Sequence, residues 1–114
     1  MLELDFLISL KNCRQLKEIR ISRNSFDGML PRAWGNLSAS IEFFSAYSSG
    51  IKGMIPNEIG NMSNSIELGI GGNELTRTMP DTLGQLRNMQ VLKLNDNKLG
   101  ERGRGQYLST FAIW

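Results

Sequence analysis

The chain has 114 residues with 13 basic and 11 acidic side chains, so its net charge is only +2. It contains no His and one Cys, which excludes a His-based catalytic triad or zinc site, an intrachain disulfide and a cysteine-rich metal knuckle. The small charge argues against electrostatic nucleic-acid binding, and the 40% hydrophobic content predicts a folded core.

The start of the chain predicts neither a leader nor a membrane anchor. Acidic residues interrupt its apolar run, so residues 1–8 do not resemble a signal peptide. No stretch of about 18 apolar residues occurs that would span a membrane. Residues 1–15 are interpreted as a partial leading repeat, in which Cys13 takes an apolar position and is predicted to be a small buried hydrophobe.

A repeat with a period near 25 residues begins at residue 16. Pro31, Pro56 and Pro80 are spaced by 25 and 24 residues. Each follows an apolar residue and precedes an apolar-Gly pair, which is Trp34-Gly35, Ile59-Gly60 or Leu83-Gly84. Periods of 20–29 residues with regular apolar spacing are typical of leucine-rich repeats. The predicted units are 16–40, 41–64, 65–88 and an incomplete unit at 89–100.

Within each unit, alternating apolar residues predict one short half-buried strand, and these strands stack into a parallel sheet. Asn24, Asn73 and Asn97 follow their strands and are predicted to satisfy backbone groups at the turn, whereas Ser49 reaches less far. The predicted strands lie near 19–21, 44–46, 68–70 and 92–94.

The remainder of each unit predicts a turn and a short helix on the opposite side. Each proline suits a first helical position, and 3₁₀ or short helical turns should follow. Arg77 stands where the first two units have Gly28 and Gly53, so the turn of the third unit should be altered. The predicted fold class is therefore α/β repeat, a right-handed leucine-rich-repeat solenoid of about four repeats with a parallel concave sheet.

After Gly100 the repeat pattern stops. Residues 101–114 form a divergent C-terminal tail, in which Glu101-Arg102-Gly103-Arg104 replaces the expected Gly-x-Ile-Pro. We interpret this break as the mark of a truncated or mis-spliced gene model, so that 114 residues are part of a longer repeat array.

The units together resemble a known family. Phrases such as Gly60-Asn61-Met62-Ser63-Asn64 and Thr82-Leu83-Gly84-Gln85-Leu86 are similar to ectodomains of plant leucine-rich-repeat receptor-like serine/threonine kinases, and the resemblance covers about residues 7–100. It implies non-catalytic binding of a peptide or protein ligand or co-receptor in signalling or defence perception. It also implies a place at the extracellular face of the plasma membrane, with the membrane span and the kinase domain outside this chain.

Two other functions stay open. One is a secreted kinase-less repeat protein, such as an inhibitor of cell-wall-degrading enzymes. The other is a truncated product without independent function, because open solenoid ends expose apolar edges and repeats normally need caps. An enzyme is not predicted, and neither a cofactor nor a metal site is indicated.

Candidate ligand-binding residues are those that alternate outward on the predicted strands. They lie on the concave face, where solenoid proteins bind partners, and exposed aromatic side chains there favour an interface. The candidates are Arg20, Phe43, Ser45, Tyr47, Glu67 and Lys93.

Two N-glycosylation sequons occupy equivalent positions of the first two units. Asn36-Leu37-Ser38 and Asn61-Met62-Ser63 are 25 residues apart, and the extracellular setting implied by the resemblance makes Asn36 and Asn61 candidate glycan sites.

Overall fold

A computed structural model of the protein describes residues 4–26, 28–37, 40–99 and 111–113. Its strands form two sheets that run the length of a repeat solenoid. The first sheet has one short strand from each coil, parallel to its neighbours, and ends in an antiparallel strand. In spatial order these are β1 (Glu18–Arg20), β3 (Phe43–Ser45), β5 (Glu67–Gly69), β7 (Val91–Lys93) and β9 (Phe111–Ile113).

The second sheet lies after the turn that follows each strand of the first. It contains four parallel strands, β2 (Gly28–Met29), β4 (Ile51–Gly53), β6 (Glu74–Arg77) and β8 (Lys98–Leu99). The helical side completes each coil, with three 3₁₀ helices and one α-helical turn: η1 (Leu4–Asn12), α1 (Trp34–Leu37), η2 (Asn57–Asn61) and η3 (Asp81–Gln85). The prediction of a leucine-rich-repeat solenoid with a parallel sheet is thus confirmed.

The prolines start the helical turns from just outside them. Pro56 and Pro80 are extended N-cap residues with ψ of 145° and 140°, so they precede η2 and η3 rather than occupying the predicted first helical position. The carbonyl of each proline accepts a hydrogen bond of 3.1 Å from the N–H three residues later, at Trp34, Ile59 and Leu83. The same hydrogen bond to a proline carbonyl therefore closes all three turns.

The core is a column of apolar side chains between the sheets and the helical turns. Phe44 is 1% exposed, and its ring centroid lies 4.7 Å from that of the fully buried Trp34. The predicted strand-core positions Ile19, Leu68 and Leu92 are also buried. Each of these strands begins and ends one residue earlier than predicted, so the second apolar residue of each pair directly follows its strand.

Buried asparagines link neighbouring coils. The Asn73 Oδ1 accepts hydrogen bonds from the N–H groups of Ser49 (2.8 Å) and Ile51 (3.1 Å) in the preceding coil, and its Nδ2 donates to the carbonyl of Ala46 (2.8 Å). Asn97 repeats this arrangement one coil later, with its Oδ1 accepting from Leu75 N–H at 3.0 Å. These side chains satisfy turn backbone groups that have no ladder partner, as the sequence predicted.

Ser49 and Asn24 depart from that arrangement in different ways. The Ser49 hydroxyl donates to the carbonyls of Tyr47 (2.8 Å) and Ile21 (3.1 Å), while its main-chain carbonyl accepts from Phe26 N–H at 3.0 Å. Asn24 is exposed and donates only within its own coil, to Ile21 O at 3.0 Å and Ser22 O at 3.3 Å.

Two local predictions are wrong. The turn at Arg77 is not altered: its φ of 69° is close to the 77° of Gly53, and both residues pair with the apolar residue of the next coil. Arg77 therefore adopts the left-handed backbone that glycine would adopt without strain. Cys13 is exposed, whereas its counterparts Met62 and Leu86 are fully buried, because among the described coils the first one has a packing partner on one side only.

The predicted tail at 101–114 lies outside the described residues except for 111–113. That segment supplies β9, whose backbone pairs antiparallel with β7.

Candidate binding surface

The outward side chains of the first sheet form rows across the coils. The strands pair without stagger, so Glu18 lies opposite Phe43, Phe43 opposite Glu67 and Glu67 opposite Val91. The next row is Arg20, Ser45, Gly69 and Lys93. A row of alternating acidic and apolar side chains thus runs beside a row with basic residues at its ends and small residues between them.

These rows enclose a shallow depression of about 410 Å³, which we call the concave depression. All six residues predicted as ligand contacts line it: Arg20, Phe43, Ser45, Tyr47, Glu67 and Lys93. The geometry therefore brings the predicted set together, with contributions from four coils. Glu18, Ile19 and Phe44 complete the lining.

Tyr47 crosses from its own coil to the next. A Cβ placed on Gly69 would lie 2.6 Å from the Tyr47 Cζ, so the ring occupies the space that a side chain at position 69 would fill. The Lys93 Nζ lies 5.9 Å from the centroid of the same ring, within cation–π range. Three consecutive coils thus determine where this ring lies.

A serine pair supports the backbone beneath Tyr47. The Ser22 Oγ accepts a hydrogen bond from Tyr47 N–H at 2.9 Å and lies 3.0 Å from the Ser45 Oγ. Ser45 also lines the depression. Three features therefore set the position of the Tyr47 ring: the hydrogen bond of its own backbone N–H, the space over Gly69, which has no side chain, and the neighbouring Lys93.

Charge is distributed unevenly over the concave depression. The Arg20 Nε donates to the Glu18 carboxylate at one edge, where the Arg20 side chain is largely exposed and the Glu18 side chain is 41% exposed. Glu67 is half-buried beside Phe43, which is 38% exposed. The exposed Phe43 ring lies between two acidic side chains, Glu18 and Glu67, while Arg20 and Lys93 lie in the neighbouring row. This arrangement suits a polar ligand with an apolar side chain.

Sequence alternation identified the outward positions but not the role of Gly69. A glycine in a strand can mark a close approach by another group, and this is the available signal. The role of Glu18 as the partner of Arg20 was likewise missed, although the two are one outward step apart on the same strand.

The two sequons lie at equivalent points of the helical side. Asn61 is exposed at the end of η2, and the Asn36 backbone belongs to α1, while its side chain and Ser38 lie outside the described residues. The described residues of the two sequons do not line the concave depression. Within the described part of the chain, no group of three or more His, Cys, Asp or Glu side chains could hold a metal ion, and no described helix is long and apolar enough to cross a membrane.

Comparison with protein-family models found a repeat family. Residues 15–37, which cover most of the first unit, match the family model described as Leucine Rich Repeat. The comparison with curated proteins gave no match.

Solved structures match over most of the chain. The chain is similar to the plant peptide hormone receptor RGFR1 in complex with RGF2, with 33% identity over 80% of this chain and a TM-score of 0.75. It is similar to the ectodomain of the plant membrane receptor kinase GASSHO1/SCHENGEN3 from Arabidopsis thaliana in complex with CASPARIAN STRIP INTEGRITY FACTOR 2, with 30% identity over 79% of this chain and a TM-score of 0.75. The match spans only 14% and 11% of those two chains.

A shorter ectodomain shares the fold at lower identity. The BIR2 ectodomain from Arabidopsis thaliana superposes on 82% of this chain with a TM-score of 0.78 at 22% identity, and the match covers 48% of BIR2.

Proposed function

We propose that this chain, a leucine-rich-repeat protein with the solenoid of plant receptor-kinase ectodomains, binds a peptide or protein ligand through its concave face. The concave depression carries this proposal, because four coils contribute side chains to one surface. The complexes of the plant peptide hormone receptor RGFR1 with RGF2 and of GASSHO1/SCHENGEN3 with CASPARIAN STRIP INTEGRITY FACTOR 2 support a peptide or protein ligand.

The arrangement of side chains on this surface favours binding over catalysis. Tyr47 is a rigid aromatic platform, since Gly69 provides the space for its ring and Lys93 lies over it. Rigid aromatic side chains supply contact area with little loss of conformational entropy, which is why they anchor many interfaces. Exposed Phe43 adds a second apolar contact, and Glu67 and Arg20 supply charges that orient a ligand.

The setting of this binding is also a proposal. We infer that the chain acts at the extracellular face of the plasma membrane, in signalling or defence perception, with a co-receptor as a further possible partner. The likeness to receptor ectodomains supports this setting. Asn36 and Asn61 are proposed glycan sites, and a glycan on Asn61 would be compatible with binding, because Asn61 is exposed and does not line the concave depression.

Peptide selection tests the proposal. The full chain is immobilised, displayed random peptides are selected on it, and the enriched peptides are titrated against the chain and its variants. We expect Tyr47→Ala and Phe43→Ala each to weaken binding about tenfold, as for an aromatic interface anchor. Arg87→Ala is the matched control, because Arg87 is exposed and lies outside the concave depression. The proposal is wrong if no peptide is enriched, or if binding depends on Arg87 and not on Tyr47.

A further inference from the structure

We propose that Phe43 and Glu67 form a subsite of the concave depression that binds an arginine side chain of a ligand. The subsite rests on the proposed function, since it specifies one chemical group of the bound peptide. Both residues lie on strands that are paired on each side, β3 and β5. Phe43 lies directly opposite Glu67, so about 4.8 Å separates their backbones and their side chains leave the same face of the sheet.

The Glu67 carboxylate has no cation of its own in the described part of the chain. Glu67 is half-buried, and its side chain makes neither a salt bridge nor a hydrogen bond with another described residue. Its neighbours in the row are Phe43 on one side and Val91 on the other, which are both apolar. A carboxylate between apolar side chains loses part of its hydration, so a cationic group of a ligand would supply the missing partner.

The basic side chains that line the depression lie in the neighbouring row. The Arg20 Nε donates to the Glu18 carboxylate, and the Lys93 Nζ lies 5.9 Å from the centroid of the Tyr47 ring. Arg20 and Lys93 are each two positions along their strands from the row of Glu67, a distance of about 6.6 Å along the strand. The row that contains Phe43 and Glu67 therefore carries only negative charge.

An arginine side chain fits this row better than other polar groups. Its guanidinium plane stacks on aromatic rings and donates two parallel hydrogen bonds to a carboxylate. Phe43 is 38% exposed, so part of its side chain is open to a ligand beside the Glu67 carboxylate. An acidic group over Phe43 would meet Glu18 on one side and Glu67 on the other, so charge repulsion disfavours it.

Two parallel selections of displayed random peptides test the subsite. One selection uses the immobilised wild-type chain, and the other uses Glu67→Gln, which keeps the size of the side chain and removes its charge. Circular dichroism of both proteins establishes that they have the same fold. We expect the wild type to enrich peptides that share an arginine, and Glu67→Gln to enrich peptides without that preference.

A double-mutant cycle then isolates the contact. A peptide selected on the wild type is synthesised with its shared arginine and with citrulline, which has nearly the same shape and no charge. Glu67→Gln and the citrulline substitution should each weaken binding about tenfold, and the two together should weaken it little more than either alone. Glu74→Gln is the matched control, because Glu74 is an exposed acid of β6 outside the concave depression, and it should leave the affinity unchanged.

The results that overturn the subsite differ from those that overturn the proposed function. Peptides that bind through Tyr47 but share no arginine, or that share it equally on the wild type and Glu67→Gln, overturn the subsite alone. So do losses from Glu67→Gln and citrulline that multiply, since the two groups would then act independently. An equal loss for Glu74→Gln would also overturn it, because long-range attraction would then account for the effect. A selection that enriches no peptide overturns both.

Discussion

Replacing Asn73 by alanine removes a buried polar link between two coils. Asn73 is 6% exposed, and its amide makes hydrogen bonds to five backbone groups. The acceptors and donors lie in its own coil and in the preceding one. An alanine at this position can make none of these bonds. The loss in the free energy of unfolding therefore depends on how many of the five backbone groups are left without a partner.

Some of those groups keep another partner. The Ile70 carbonyl still accepts from Asn97 Nδ2 at 2.9 Å, and the Gly71 carbonyl still accepts from Ser48 N–H at 3.0 Å. The Ser49 N–H, the Ile51 N–H and the Ala46 carbonyl lose their bonds to the side chain. Two or three buried backbone groups left unpaired at about 1–3 kcal/mol each predict a loss of about 3 kcal/mol in the free energy of unfolding.

Equilibrium urea unfolding followed by circular dichroism measures this loss. Asn24→Ala is the matched control, because Asn24 occupies the equivalent position, is exposed and bonds only within its own coil. It should change the free energy of unfolding by no more than about 0.5 kcal/mol. A loss below about 1 kcal/mol for Asn73→Ala, or equal losses in the two variants, would refute the view that buried asparagines join the coils.

Four further changes have defined outcomes. Arg77→Gly should raise the free energy of unfolding by about 1 kcal/mol in urea titrations, because Arg77 has a φ of 69°. Ser65→Ala should stabilise by up to about 1 kcal/mol in thermal melts, because the Ser65 hydroxyl is buried without a hydrogen bond among the described residues. Gly69→Ala should displace Tyr47 and weaken a selected peptide about tenfold in calorimetric titration, with little change in melting temperature. Asn61→Gln should remove one glycan from the protein when plant cells secrete it, and the loss should be visible as a shift in gel mobility.

Each of these has a contradicting result. Destabilisation by Arg77→Gly would mean that the arginine side chain contributes more than the backbone strain costs. A less stable Ser65→Ala would reveal a hydrogen bond of the hydroxyl. Unchanged peptide affinity in Gly69→Ala would separate Tyr47 from binding, and unchanged mobility in Asn61→Gln would show that this sequon carries no glycan.

The repeat could be derived from sequence because each apolar position recurs in the same physical environment. Phe44 and Leu68 are buried for the same reason, since each lies between two coils. Alternation then placed Arg20, Tyr47 and Lys93 on the outward side, where the structure finds all three lining one depression. Period and alternation are local properties of the chain, so they can be derived without coordinates.

What could not be derived depends on a neighbour or on its absence. Cys13 matches the buried Met62 in sequence position but is exposed, because Met62 lies between two described coils and Cys13 does not. Asn24 matches Asn73 and is exposed for the same reason. The position of Tyr47 over Gly69 requires a tyrosine in one coil and a glycine in the next. A repeat pattern treats the coils as equivalent, so it does not predict this contact.

The C-terminal tail contains a second feature that the repeat pattern does not predict. Residues 111–113 match no repeat position, yet their backbone closes the sheet beside β7 as β9. An antiparallel edge strand has no periodic signal relative to the parallel strands before it, so only the three-dimensional arrangement reveals this pairing.

A photo-crosslinking map tests the central claim, that the concave face is the binding surface. A selected peptide carrying a photoreactive residue is irradiated with the full chain, and the adducts are located by mass spectrometry. We predict adducts on the lining of the concave depression, at Phe43, Tyr47 and Glu67, and their loss on competition with unlabelled peptide. Competable adducts confined to the helical turns η2 and η3 would contradict the claim.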